Sequence, residues 1–167
     1  VVRASARLRQ LLADILTLSK ARAIRPMDDL ISASDVVREA IGRLDSAIRE
    51  TGALVSVNPN LPPIRADRVW ATEAIYNLLS NAVKFHRADV APEIEIAPFR
   101  EDGESGISIR DNGLGVPVEM RDRIFNLFER GVGREVEGTG AGLAIVREVA
   151  LRHGGRALHR DRQEGGS

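Results

Sequence analysis

The sequence predicts an α+β domain organised around a single core, and three observations carry that expectation. Its 167 residues, 43% of them hydrophobic, fill one core but not two independent ones. Segments with apolar residues at helical spacing alternate with short strand-like runs, one pair of which reads as a hairpin. Glycines at 113, 115, 131, 133, 138, 140 and 142 crowd one stretch, a density that marks a loop with a task rather than a core element. Composition narrows function as well. The 24 basic and 24 acidic side chains cancel, so no broad positive field serves nucleic acid or anionic lipid, and an anionic ligand needs a local site. Without cysteine the chain has no disulfide framework, thiolate zinc site or cysteine nucleophile, in keeping with a reducing compartment. No apolar run reaches the roughly 18 residues that a membrane-spanning helix needs. Val1 opens the chain with no signal-peptide pattern behind it, as expected of a piece of a longer protein.

The elements follow in order. Val1, Ala4, Leu8, Leu11, Ile15 and Leu18 alternate steps of three and four. This heptad seam, widened by Leu12, asks for other helices within the chain or across a dimer; docking on the domain's own core is the plainer alternative. Pro26 stops that helix, and residues 27–31 read as a connector. Ser32 followed by Asp35 announces a second helix, with Val36, Val37, Ala40, Ile41, Leu44 and Ile48 along one side and a stop at Gly52. Residues 53–57 form a short apolar strand, and the proline-rich run 58–63 cannot continue a ladder. Asp67 caps a third helix through Val69, Trp70, Ile75, Leu79 and Val83. Residues 93–97 and 106–110 pair across a turn holding Asp102 and Gly103. A short helical stretch is expected over 118–128, a last helix over 143–153 before Gly154 and Gly155, and a strand over 156–160.

Three constellations on this frame point to chemistry. Asn77, Asn81 and Lys84, spaced by four and three, project from one face of the third helix while Ile75, Leu78, Leu79, Ala82 and Val83 take the core side. Two carboxamides and an ammonium suit a hydrated hard cation carrying phosphate, since magnesium takes oxygen ligands and keeps several waters. Asp111-Asn112-Gly113-Leu114-Gly115 follows a strand end, where a buried carboxylate accepts from an exocyclic amino group and glycines let the backbone approach a flat ring. Gly138-Thr139-Gly140-Ala141-Gly142 opens into the last helix, whose unpaired N–H groups and dipole form an anion cradle. Taken singly, each has a plainer reading: solvated helix surface, an ordinary turn, a flexible hinge.

In this order and context, the three motifs strongly resemble the ATP-binding domain of sensor histidine kinases. Residues 77–85 match the family's N box, 111–115 its G1 box, 124–130 its F box and 138–143 its G2 box, a likeness covering about residues 30–167. Lys84-Phe85-His86-Arg87, followed by Pro92 and a strand, looks like phytochrome-type members. The resemblance implies a two-layer α/β sandwich, with helices on one face of a mixed sheet, preceded by the heptad helix. Residues 1–27 would be the second helix of a dimerisation and phosphoacceptor hairpin, and 28–167 the kinase domain, its final strand expected beyond the Gly-Ser turn. By the same resemblance Asn77, Asn81 and Lys84 form the catalytic set. Asn81 binds Mg²⁺, Lys84 meets the phosphates and Asp111 reads adenine. Phe85, Gly113, Gly115, Gly138, Thr139, Gly140, Gly142 and Leu143 complete the ATP site. Residues 116–138 form a lid, and Arg134 offers a phosphate contact. The implied activity is transfer of the γ-phosphoryl group to a histidine outside this chain, for relay to a response regulator, in a cytoplasmic homodimer without nucleic-acid partners.

Besides the final strand, one departure stands against this pattern. The family's phosphoacceptor histidine, normally followed by an acidic residue, has no match: His86 precedes Arg87, His153 precedes Gly154, and His159 falls on an expected strand. Each reads as local structure. The related ATP-hydrolysing proteins of the gyrase and chaperone type carry a glutamate where Asn77 stands, and Glu73, one turn earlier, is expected to lie too far along the helix to replace it. Transfer is therefore favoured over hydrolysis. A non-catalytic nucleotide-binding or phosphotransfer scaffold is the remaining alternative, against which the intact Asp111 and glycines argue.

Overall fold

The computed structural model describes residues 2–25, 29–101, 103–129 and 138–160. In chain order these form α1 (Val2–Arg22), β1 (Leu30–Ile31), α2 (Ala33–Arg43), α3 (Asp45–Thr51), β2 (Leu54–Val57), β3 (Ile64–Arg65), α4 (Arg68–Lys84), β4 (Glu93–Glu101), β5 (Glu104–Asp111), a 3₁₀ turn (Val118–Met120) and α5 (Gly142–Arg152). The fold is α+β, as expected. A three-stranded mixed sheet has the order β2-β4-β5, with β2 parallel and β5 antiparallel to β4. Pro98, which cannot donate to a ladder, falls beyond the last β2 partner, Ile96, where β4 has become an edge on that side.

Helices α2 and α4 cover one face of the sheet. Val36, Val37 and Ala40 of α2 and Ile75, Leu79, Ala82 and Val83 of α4 are buried with Ile94 and Ile96 of β4 in one cluster. Both helices start as their caps dictate. The Ser32 hydroxyl accepts from the Asp35 N–H at 3.2 Å, and the Asp67 carboxylate accepts from the Trp70 N–H at 3.0 Å. The Arg38 guanidinium, bonded to Asp35 at 2.7 Å, holds that exposed carboxyl below the usual carboxylate range.

A second cluster joins Leu18, Ala21 and Ile24 to Ala144, Ile145 and Val149 of α5, with Trp70, Ala74 and Leu127 against it. The heptad seam is thus divided. Its C-terminal part docks on the chain's own domain, whereas Leu8 is 59% and Leu12 54% exposed.

The structure corrects four expectations about elements. The single helix expected between Ser32 and Gly52 is two, broken at Leu44, whose N–H turns to Gly42 and Ile41; interior Gly42 weakens the helix there. Residues 30–31, read as part of a connector, pair with 64–65, to which the sequence assigns no element, as the antiparallel β1–β3 ladder. Of the helical stretch over 118–128 only one 3₁₀ turn forms, since bonds such as Arg123 N–H to Met120 O keep the backbone in tight turns. Residues 156–160 make no ladder. Side chains hold them beside the β4–β5 hairpin, through Arg156 to Glu104 at 2.6 Å and Arg160 to Glu101.

Candidate functional site

Helix α4 forms the wall of the site. With Ile75, Leu79, Ala82 and Val83 drawn into the core, the helical repeat leaves Asn77, Asn81 and Lys84 together on another face. Asn77 and Asn81 are half-buried, and Lys84, the last helical residue, is exposed. The Asn77 amide is held firmly. Its Nδ2 donates to the Glu73 carbonyl at 2.9 Å and to Glu73 Oε1 at 3.2 Å. The other Glu73 oxygen accepts from Arg43 Nη1 at 2.9 Å, and the Arg43 guanidinium lies 3.9 Å from the centre of the Tyr76 ring.

The 111–115 turn is sewn to the C-terminal end of this helix. Leu114 N–H donates to the Phe85 carbonyl at 2.9 Å, Arg87 Nε donates to the Gly113 carbonyl at 3.2 Å, and Gly113 N–H donates to Asp111 Oδ1 at 2.9 Å. A Cβ on Gly113 would lie 2.5 Å from the Phe85 oxygen and 2.7 Å from Asp111 Oδ1, so only glycine fits this approach. Gly115 adopts φ +72°. Asn112 ties the turn to the sheet, its Oδ1 accepting from Glu93 N–H at 2.9 Å and its Nδ2 donating to the Ala91 carbonyl at 3.1 Å. One expectation changes here: Asp111 is exposed at its strand end rather than buried, because β5 is an edge strand that no described strand covers.

The 138–142 loop reaches three separate elements. Among the described residues nothing lies within 4 Å of where a Cβ on Gly138 would sit. The Thr139 hydroxyl hydrogen-bonds the Asp14 carboxylate on α1. Gly140, at φ +78°, passes so close to residues 128 and 129 that a Cβ would meet their backbone at 3.1 Å, and its carbonyl accepts from Phe128 N–H at 3.0 Å. Phe128 itself is left-handed at φ +65°, a conformation that costs a non-glycine residue about 1 kcal/mol or more. A Cβ on Gly142 would lie 2.7 Å from Asn77 Oδ1. Helix α5 then begins at Gly142 and Leu143 with no side-chain cap, so the N–H groups of its first turn are available to an anion. Arg134 lies outside the described residues.

The N box therefore meets both glycine-rich segments, at Phe85 and at Asn77. Glu73, Arg43 and Arg87 emerge as site neighbours that the motif reading did not single out. Glu73, one turn before Asn77, is weighed in the sequence only as a replacement base; its i,i+4 spacing is the signal that its side chain could meet the Asn77 amide. The histidines behave as local structure. Nδ1 of His86 bonds the Val83 carbonyl at 2.7 Å. Nδ1 of His153 bonds the Val149 carbonyl at 2.8 Å, while its Nε2 accepts from Asp67 N–H at 3.0 Å. His159 Nδ1 is buried without a described partner.

Comparison with known proteins shows the kinship of the chain. The methanogenesis regulatory histidine kinase FilI of Methanothrix harundinacea is 37% identical over 147 residues, covering 87% of this chain and 16% of that protein. Cyanobacterial phytochrome A of Nostoc sp. is likewise 37% identical over 147 residues, covering 87% of this chain and 19% of its own length. The chain thus spans less than a fifth of these relatives. Among solved structures, full-length ShkA in complex with AMPPNP superposes with a TM-score of 0.72 at 28% identity, covering 93% of this chain and 34% of that one. Among the described residues, no helix is long and apolar enough to cross a membrane. Residues 66–167 match the family described as histidine kinase-, DNA gyrase B- and HSP90-like ATPases, and with sensor histidine kinases as its relatives, the chain belongs to that family.

Proposed function

We propose that this chain is the ATP-binding catalytic part of a cytoplasmic sensor histidine kinase, holding Mg²⁺-ATP for transfer of the γ-phosphoryl group to a histidine on another segment. One observation carries the reading. Two different glycine-rich segments meet α4 at Phe85 and at Asn77, eight residues or about 12 Å apart along the helix. That spacing suits a base at one end and phosphates at the other. The kinship with ShkA, seen with AMPPNP, supports the same ligand.

In this reading the Asp111 carboxylate accepts from the adenine amino group, and Phe85, Gly113 and Gly115 shape the base end. The uncapped N–H groups at Gly142 and Leu143, the 138–140 backbone, Lys84 and Arg134 receive the phosphates. The amide oxygen of Asn81 suits a hard, partly hydrated cation that completes its shell with phosphate oxygens. Among the described residues no cluster of three or more histidines or carboxylates offers a different metal site. Bound Mg²⁺ supplies charge neutralisation at the phosphates. The chain's own residues bind and orient the nucleotide.

Hydrolysis is disfavoured by two groups. Asn77 takes no proton near neutral pH, and the Glu73 carboxylate is engaged by Arg43 and Asn77 rather than free to activate water. The nucleotide-binding scaffold without catalysis has no observation in its favour. In this reading the acceptor histidine comes from another segment, with a response regulator downstream and a homodimer as the working form; the local bonds of His86 and His153 at helix ends are in keeping with structural roles. Residues 1–27 belong in this reading to the dimerisation and phosphoacceptor hairpin. Calorimetric titration of Asp111→Asn tests the site. Loss of a hydrogen bond to a charged group should weaken ATP binding by about 1 to 3 kcal/mol. Affinity equal to the parent's, or equal affinity for ATP and GTP, would remove Asp111 from the base end.

A further inference from the structure

We infer that Glu73 and Arg43 are positioning residues that fix the orientation of the Asn77 amide, presenting its oxygen to the ligand side of the glycine-rich loop. The inference rests on the reading of this surface as a Mg²⁺-ATP site and adds residues to it that the motifs do not contain. A carboxamide has two ends, and which end faces a site is set by its hydrogen bonds. Nδ2 of Asn77 faces two acceptors, the Glu73 carbonyl at 2.9 Å and Glu73 Oε1 at 3.2 Å. A flipped amide would set its oxygen against both of those oxygens. The unflipped amide leaves Oδ1 pointing at the start of α5, 2.7 Å from where a Cβ on Gly142 would sit.

Glu73 is in turn fixed by a contact from a different helix. Arg43, in the last turn of α2, donates to the second Glu73 oxygen at 2.9 Å and rests on the Tyr76 ring. The Glu73 side chain is 24% exposed, so the carboxylate is partly screened from water and its geometry is not that of a free surface pair. Arg43, Glu73 and Asn77 thus form a relay of orientation from α2 through α4 to the α5 N-terminus. Its product is an acceptor oxygen of fixed direction beside N–H donors. That pairing serves a hydrated cation and its phosphates together, because the cation's water needs an acceptor while the phosphate needs donors.

The test combines a ligand-free readout with a binding readout on the whole chain. In ¹⁵N–¹H spectra without nucleotide, the Asn77 side-chain amide, assigned by its disappearance in Asn77→Asp, should show slowed hydrogen exchange. Glu73→Leu, which leaves only the backbone carbonyl as acceptor, should lower that protection, and Glu73→Gln, which keeps one side-chain acceptor oxygen, should lower it less. In titrations, Glu73→Leu and Arg43→Met should lose most of the gain in ATP affinity that Mg²⁺ confers, about tenfold or more, with Mg²⁺-free affinity unchanged. Glu73→Gln should fall between, and Glu73→Leu combined with Asn77→Ala should lose no more than Asn77→Ala alone, as expected of residues acting as one unit. An unprotected Asn77 amide in the parent would overturn the clamp. Equal losses with and without Mg²⁺ would reduce Glu73 to a structural residue and overturn the positioning role. A protected amide in a parent that gains no ATP affinity from Mg²⁺ would leave the clamp standing and overturn both its proposed purpose and the Mg²⁺-ATP reading.

Discussion

In the 111–115 turn, the space beside the central glycine is taken up by a backbone carbonyl and by the turn's own aspartate. In the 138–142 loop the neighbours are spread over α1, the backbone at 128–129 and a side chain of α4. The first turn is therefore a weld between one strand end and one helix end. The second is a junction, with Thr139, Gly140 and Gly142 each depending on a different part of the fold. The lesson is that similar glycine-rich lettering conceals unequal rigidity: a backbone wall cannot yield, whereas a side-chain wall can.

Substitutions can break this contrast in graded steps. Gly113→Ala should have the largest effect. Its Cβ would overlap the Phe85 carbonyl, and overpacking against backbone costs about 3 kcal/mol, so denaturant unfolding should show a large loss of stability along with loss of ATP binding. An intermediate effect is expected for Gly140→Ala. Its φ of +78° and the 3.1 Å contacts with residues 128 and 129 together cost about 2 kcal/mol, measurable as a lower denaturation midpoint. Gly142→Ala should separate stability from binding. It meets only the Asn77 amide, and better helix propensity offsets part of the crowding, leaving stability within about 1 kcal/mol of the parent. ATP affinity in Mg²⁺ should nonetheless fall, because the displaced amide loses its direction. If Gly142→Ala proved as destabilising as Gly113→Ala, the junction would be as rigid as the weld and the distinction would fail.

The same division explains what the sequence disclosed. Ser32 and Asp67 cap their helices through bonds three residues long, so both starts were legible, as was the hairpin. The order of motifs along α4, the 111–115 turn and α5 was legible too. The β1–β3 ladder was not, since two residues per strand have no periodicity and Leu30 finds Arg65 only through the tertiary fold. Nor was the break at Leu44, where the apolar stripe runs on but the backbone does not. At the site, the motif letters marked Asn77, yet Arg43, which holds its partner Glu73, lies 30 residues from that glutamate, a pairing that spacing on one helix cannot reveal. The exposure of Asp111 was not legible either, since β5 is an edge strand among the described residues, which is a property of strand order.

The docking of α1 has a mechanical consequence. Leu18 and Ala21 clasp α5, and the helix extends from there to Val2, 16 residues or about 24 Å away. Asp14, which grips the Thr139 hydroxyl, stands one turn from the clasp, about 6 Å. A stiff rod held in this way is a lever of about four to one. Pushing its far end sideways by about 4 Å shifts the Asp14 carboxylate by about 1 Å, enough to carry a hydrogen bond beyond its working distance. The glycine-rich loop is thus geared to the far end of a helix whose own leucines stand open to solvent.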